Sequence, residues 1–237
     1  ADAPDVNGPH RSSSNLLIDF WRSAVGKKWV MALSGVGLMG FVFAHMFGNL
    51  KMFMGRTAFD AYAEGLRSLL YPIMPHGWVL WAMRIGLIAM FAAHIVSAAQ
   101  LTAMNRRARP IRYQSPRDYI AANFAARTMR WTGIIVALYH LADLTWGWVN
   151  PDFVRGAAYD NLVASLSVPY VAAIYLVGNI ALGIHLFHGA WSMFQSMGIN
   201  SPRYNGARKA FAAGFVVVTI GMNCVFVVAI LTGFVGS

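Results

Sequence analysis

Five of the seven histidines, His45, His94, His140, His185 and His188, stand inside long apolar stretches of the chain. Ionisable side chains are costly and rare in such surroundings. One isolated histidine there is adequately explained as a neutral imidazole hydrogen-bonded to a neighbouring helix. Recurrence on four successive stretches favours a second chemistry, ligation of a metal through an imidazole nitrogen. Thiolates do not accompany it. The single cysteine, Cys224, lies in the last apolar run, where it reads as a packing or lipid-facing sulfur. Alone it supplies no internal disulfide, iron–sulfur cluster or four-cysteine zinc site.

The elements that must position these histidines are membrane spans. Of 237 residues, 57% are hydrophobic and 12% charged, against roughly 25% charged in a soluble domain. Five stretches, Trp29 to Leu50, Val79 to Met104, Met129 to Val149, Val168 to Met197 and Phe211 to Phe234, each supply the about 20 apolar residues that cross a bilayer as a helix. The fold expected is all-α, an integral membrane bundle of five transmembrane helices. A short interfacial helix follows the first span, because Thr57 to Leu70 places Phe59, Tyr62, Leu66 and Leu69 on one face. Residues 1–25 read as an N-terminal cytoplasmic tail and pre-helix, and 26–237 as one transmembrane domain. Ala1 to Asn15 is polar and lacks a signal peptide's basic-then-apolar pattern. Ser115-Pro116-Arg117-Asp118 signals a helix start on the cytoplasmic side, ahead of the third span.

Lys and Arg number 4 before the first span, 7 between the second and third, and 3 before the fifth. The alternate segments hold 3 and 1, so the positive-inside rule places the N-terminus in the cytoplasm and the C-terminus outside. The net charge of +10 is thus distributed by topology and not gathered into a soluble nucleic-acid-binding face. Trp29, Trp78, Trp81, Trp146, Trp148 and Trp191 fall near span ends, as an aromatic belt requires.

Depth sorts the histidines into two levels. At ~1.5 Å per residue, His45 lies ~24 Å from the cytoplasmic side and His140 ~16 Å, whereas His94 lies ~22 Å and His185 ~25 Å below the outer side. His45 with His140 makes an outer pair, and His94 with His185 an inner one. Two pairs suit the axial positions of two stacked haems; zinc or copper would want ligands gathered at one level. His188, one turn beyond His185, could replace it as ligand or bond to a haem propionate or quinone oxygen. Gly35, Gly37, Gly40, Gly48, Gly178 and Gly183 would admit a flat macrocycle, or equally a neighbouring helix.

Two stretches carry a resemblance. GKKWVMALSGVGLMGFVFAHMFGNLKMFMG, Gly26 to Gly55, and HLFHGAWSMFQSMGINSP, His185 to Pro202, are similar to segments of the cytochrome b subunit of succinate dehydrogenases and fumarate reductases, the single-chain, five-helix, di-haem class of respiratory complex II. The likeness runs from about Gly26 to Pro202. It implies that His45 and His140 ligate the haem distal to the soluble subunits and His94 and His185 the proximal one, which matches the pairing from depth. The glycine four residues after the helix-four ligand, here Gly189 with Trp191 and Gly198 following, selects His185 over His188. Some fumarate reductases carry a glutamate two residues before that ligand, proposed to conduct protons. Gly183 stands here, so no proton path is expected at that position.

The resemblance further implies a flavoprotein partner that interconverts succinate and fumarate, an iron–sulfur subunit that relays electrons, and a membrane quinone, with menaquinone expected. No flavin-binding glycine fingerprint or cysteine cluster is present in this chain. The basic inner surface at Arg106, Arg107, Arg109 and Arg112 offers a dock for the soluble subunits, or is ordinary positive-inside topology. Quinone candidates are Tyr62, Glu64 and Asp143 near the outer haem, or His188, Ser192 and Gln195 near the inner one. Arg84, inside the second span, is expected to pair with an outer haem propionate or with Asp143. The setting is the bacterial cytoplasmic membrane. The alternatives are a quinone-linked cytochrome b anchor of a formate dehydrogenase or hydrogenase, and a non-redox membrane anchor.

Overall fold

The computed structural model describes residues 16–108, 133–199 and 201–236. All regular structure among them is helical. In chain order the α-helices are α1 (Leu16–Arg22), α2 (Ala24–Asn49), α3 (Arg56–Arg67), α4 (Trp78–Ala108), α5 (Gly133–Leu144), α6 (Ala158–Leu166), α7 (Pro169–Ser196) and α8 (Asn205–Leu231), with short 3-10 turns at Leu50–Met54 and Pro202–Tyr204. Four segments are long and apolar enough to cross a membrane: Ala24–Met54, Trp78–Ala108, Pro169–Ser196 and Pro202–Leu231. The chain is thus a multi-pass helical membrane protein by length and composition. The expected third span begins outside the described residues, as do the helix start at Ser115, the residues Arg109 and Arg112, and most of the N-terminal tail. Its described part, α5, is a 12-residue apolar helix.

Local chemistry sets the helix ends. The Ser23 hydroxyl accepts from the Gly26 N–H at 2.9 Å and starts α2 five residues ahead of Trp29. Gly26 also lets the Phe20 carbonyl of α1 come close, and the Lys27 ammonium bonds to the Trp21 carbonyl. Helix α5 stops at Leu144, short of the expected Val149, because Gly147 takes a left-handed conformation (φ +70°) and the Trp148 N–H returns to the Ala142 carbonyl at 2.7 Å. A left-handed glycine of this kind is a common way for a helix to end. Pro169 occupies the first turn of α7, where its missing N–H costs nothing.

Helix α2 lies along α4, and α7 lies along α8, while α2 meets α7 and α8 only lightly and the backbones of α4 and α7 hardly approach. Because lipid offers no hydrophobic drive between helices, close contacts rely on small residues. Gly37 faces the Met90 sulfur, and a Cβ on Gly183 would stand 3.3 Å from Ile220 and 3.4 Å from Val216 of α8. A Cβ on Gly178 would stand 2.8 Å from Val136 of α5. One apolar cluster joins Met39, Leu186, Ala190, Ala212 and Ile220 between α2, α7 and α8. A second, around Met46, Met52, Phe59, Tyr159, Leu166, Phe226 and Ile230, binds α3 and α6 over one end of the bundle.

The interfacial helix expected over 57–70 runs from Arg56 to Arg67, with Phe59 buried, Leu66 half-buried, and Tyr62 and Leu69 exposed. Its companion α6 is not among the expected elements. The two are tied by Arg56 and Asp160 at 2.7 Å, by Asp60 accepting from the Tyr159 N–H at 3.0 Å, and by the Phe59 and Tyr159 rings.

Candidate functional site

The structure brings four of these histidines together in two pairs. His45 of α2 and His140 of α5 have ring centroids 5.8 Å apart, with planes at 90°. His94 of α4 and His185 of α7 are 6.1 Å apart at 87°. Two metal–imidazole bonds of about 2 Å each, extended to the ring centres, need about 6 Å. Rings stacked face to face could not both aim a nitrogen at a shared atom, whereas near-perpendicular rings can.

The four rings differ in burial and hydrogen bonding. A packed neutral imidazole requires burial and a hydrogen bond on a neighbouring helix. Yet His45 is exposed in the chain by itself, and the other three are half-buried. Among the described residues, only His94 has a hydrogen bond: its Nδ1 lies 3.1 Å from the Met31 carbonyl and 3.4 Å from the Ser34 hydroxyl. A carbonyl only accepts, so Nδ1 carries the proton and Nε2 keeps its lone pair, as an oriented metal ligand requires. Ser34 Oγ itself donates to the Val30 carbonyl at 2.7 Å. A Cβ on Gly35 would stand 3.3 Å from His94 Cε1, so that glycine faces the imidazole ring.

Among the described residues there is no group of three or more metal-ligating side chains. Two opposed imidazoles with no third ligand do not make a tetrahedral zinc site. A haem, which needs only two imidazoles from the protein, would be compatible with such a pair. His188 does not join either pair; its ring packs 6.4 Å from Trp191.

The other candidates are dispersed. Asp143, only 2% exposed, accepts hydrogen bonds from the Ser165 hydroxyl at 2.5 Å and the Tyr175 hydroxyl at 2.7 Å, both on Oδ2. The Tyr175 ring in turn lies 5.9 Å from that of His140. Arg84 does not pair with Asp143: it is exposed and stands over the Trp81 ring at 5.0 Å. The long arginine arm reaches outward while α6 and α7 seal Asp143 with hydroxyls.

Tyr62 is exposed, its hydroxyl 2.6 Å from where a Cβ on Gly48 would stand. Glu64 is exposed and engaged by His76 at 2.8 Å and Arg67 at 3.1 Å. The His76 hydrogen bond first, then Arg67, holds its carboxyl below the usual carboxylate range. Ser192 donates to the Gly189 carbonyl at 3.3 Å, and Gln195 is exposed. Arg106 and Arg107 are exposed in the last turn of α4.

The residues absent from the expectations are Ser165, Tyr175 and the Met31 carbonyl. Helix α6 carried a readable signal, since Tyr159, Leu162, Val163 and Leu166 recur at helical spacing. The bond from His94 to a backbone carbonyl carried none, because no side-chain type marks it. No protein-family model, curated protein or solved structure matches this chain.

Proposed function

We propose that this chain is the membrane-anchor cytochrome b subunit of a succinate:quinone oxidoreductase, holding two b haems between His45 and His140 and between His94 and His185. The observation that carries the reading is the pair of imidazole couples at haem-compatible separation in a multi-pass helical chain. The stretches Gly26 to Gly55 and His185 to Pro202 supply its family expectation. Bound there, haem supplies one-electron redox chemistry.

The chain's own residues hold and orient. Met31 fixes the His94 tautomer, Gly35 leaves room for its ring, and the sparse approach of α4 to α7 leaves the gap across which His94 and His185 face each other. In this reading α5 is the end of a fifth span, the N-terminus is cytoplasmic, and the membrane is the bacterial cytoplasmic membrane. A flavoprotein and an iron–sulfur subunit dock on the basic inner surface that includes Arg106 and Arg107. The quinone, menaquinone by expectation, is the membrane substrate.

The test is donor specificity in native membranes containing the complex. Succinate should reduce the b-type absorbance of this chain, while formate and hydrogen should not. Reduction by formate or hydrogen instead would assign the chain to another dehydrogenase. Absence of any b-type absorbance would leave a non-redox anchor.

A further inference from the structure

Asp143 is a buried carboxylate with no ion pair among the described residues. Among the described residues no basic side chain pairs with it: the ion pairs there join Arg56 with Asp160 and Arg67 and His76 with Glu64, and Arg84 stands on Trp81. Its only partners there are two hydroxyls, and both donate to the same oxygen. Two O–H donors on one oxygen satisfy an ionised carboxylate but do not neutralise it. Asp143 stands one helical turn beyond His140, and the Tyr175 ring that binds it also packs on the His140 ring. The carboxyl group is therefore held at a fixed place beside the outer histidine pair.

We infer that Asp143, clasped by Ser165 and Tyr175, is a fixed counter-charge to the outer pair and lowers the reduction potential of the haem iron held there. This rests on the haem reading proposed above. Reduction removes a positive charge from the iron, so a nearby anion opposes it. A unit charge within about two helical turns, at an effective dielectric near 20, changes the reduction equilibrium roughly ten-fold or more. Ten-fold is about 59 mV for a one-electron couple. The inner pair, at the other level of the bundle, should feel little of it.

The test is a redox titration of the purified, detergent-solubilised protein, followed in the b-band, for wild type, Asp143→Asn and Asp143→Leu. The outer component is identified by its loss in His45→Ala. Both neutral variants should keep two haems, with the outer midpoint raised at least ten-fold in equilibrium and the inner one unmoved. Two haems with an unmoved outer midpoint, or a shift confined to the inner one, would overturn the inference. Should both variants lose the outer haem, Ser165→Ala decides, because it keeps the charge and removes one dipole aimed at it. Its outer midpoint should fall, and an unmoved or raised value would overturn the inference. Absence of haem from the wild-type protein refutes the underlying haem reading instead, so the two failures are distinguishable.

Discussion

Asp60→Ala should destabilise the end of the bundle that carries the outer histidine pair. Helix α6 begins after Ala157, which has no side chain able to cap it. Asp60 of α3 fills that role from 99 residues away, accepting the Tyr159 N–H at 3.0 Å. Losing a cap of this kind costs about 1 kcal/mol, within roughly 0.5–2. Losing a negative charge at a helix N-terminus adds about 0.3–1 kcal/mol. The sum is about 1–2 kcal/mol, or about 2–4 °C in Tm per kcal/mol for a chain of this size. Asp60→Asn keeps the acceptor and should lose only the charge contribution. Arg56→Ala breaks an ion pair whose side chains are 65% and 40% exposed, worth below about 1 kcal/mol. The assay is thermal unfolding in detergent followed by tryptophan fluorescence. A stable Asp60→Ala, or an Arg56→Ala that costs more, would refute the reasoning.

Gly35→Val should cost about 1–3 kcal/mol by overpacking and displace His94, so that haem quantitation finds the inner haem depleted and the outer one kept. Gly178→Leu presses on the stiff, β-branched Val136 and should part α5 from α7, lowering outer-haem retention before inner. Glu64 has a depressed folded pKa, so its contribution is complete above the ordinary 4.5 and is lost as pH falls through the lower folded value. Thermal unfolding of Glu64→Gln should therefore be flatter than wild type on the acid side of pH 4.5; identical profiles would contradict the clasp by His76 and Arg67.

Apolar runs longer than 20 residues made the spanning segments legible, because period and length both survive in sequence. The pairing of His45 with His140 and of His94 with His185 was legible for a related reason: rise per residue converts sequence position to position along a helix. Ends were the weak point. Ser23 extends α2 backward, and Gly147 cuts α5 five residues short of Val149, because caps act through single side chains and φ angles. Helix α6 is too short for hydropathy to flag, and with it went Ser165. Arg84 was expected to pair with an outer haem propionate or with Asp143, because a charge in an apolar run invites pairing. Hydroxyls from α6 and α7 satisfied the carboxylate instead, and sequence distance concealed them.

The most direct test of the account is a dithionite-reduced minus oxidised spectrum of the purified protein, with pyridine haemochromogen quantitation of haem b per chain. Two haems per chain are predicted, with the outer one lost in His45→Ala or His140→Ala and the inner one in His94→Ala or His185→Ala. No haem, a single haem, or a His188→Ala that loses haem where His185→Ala does not, would contradict it.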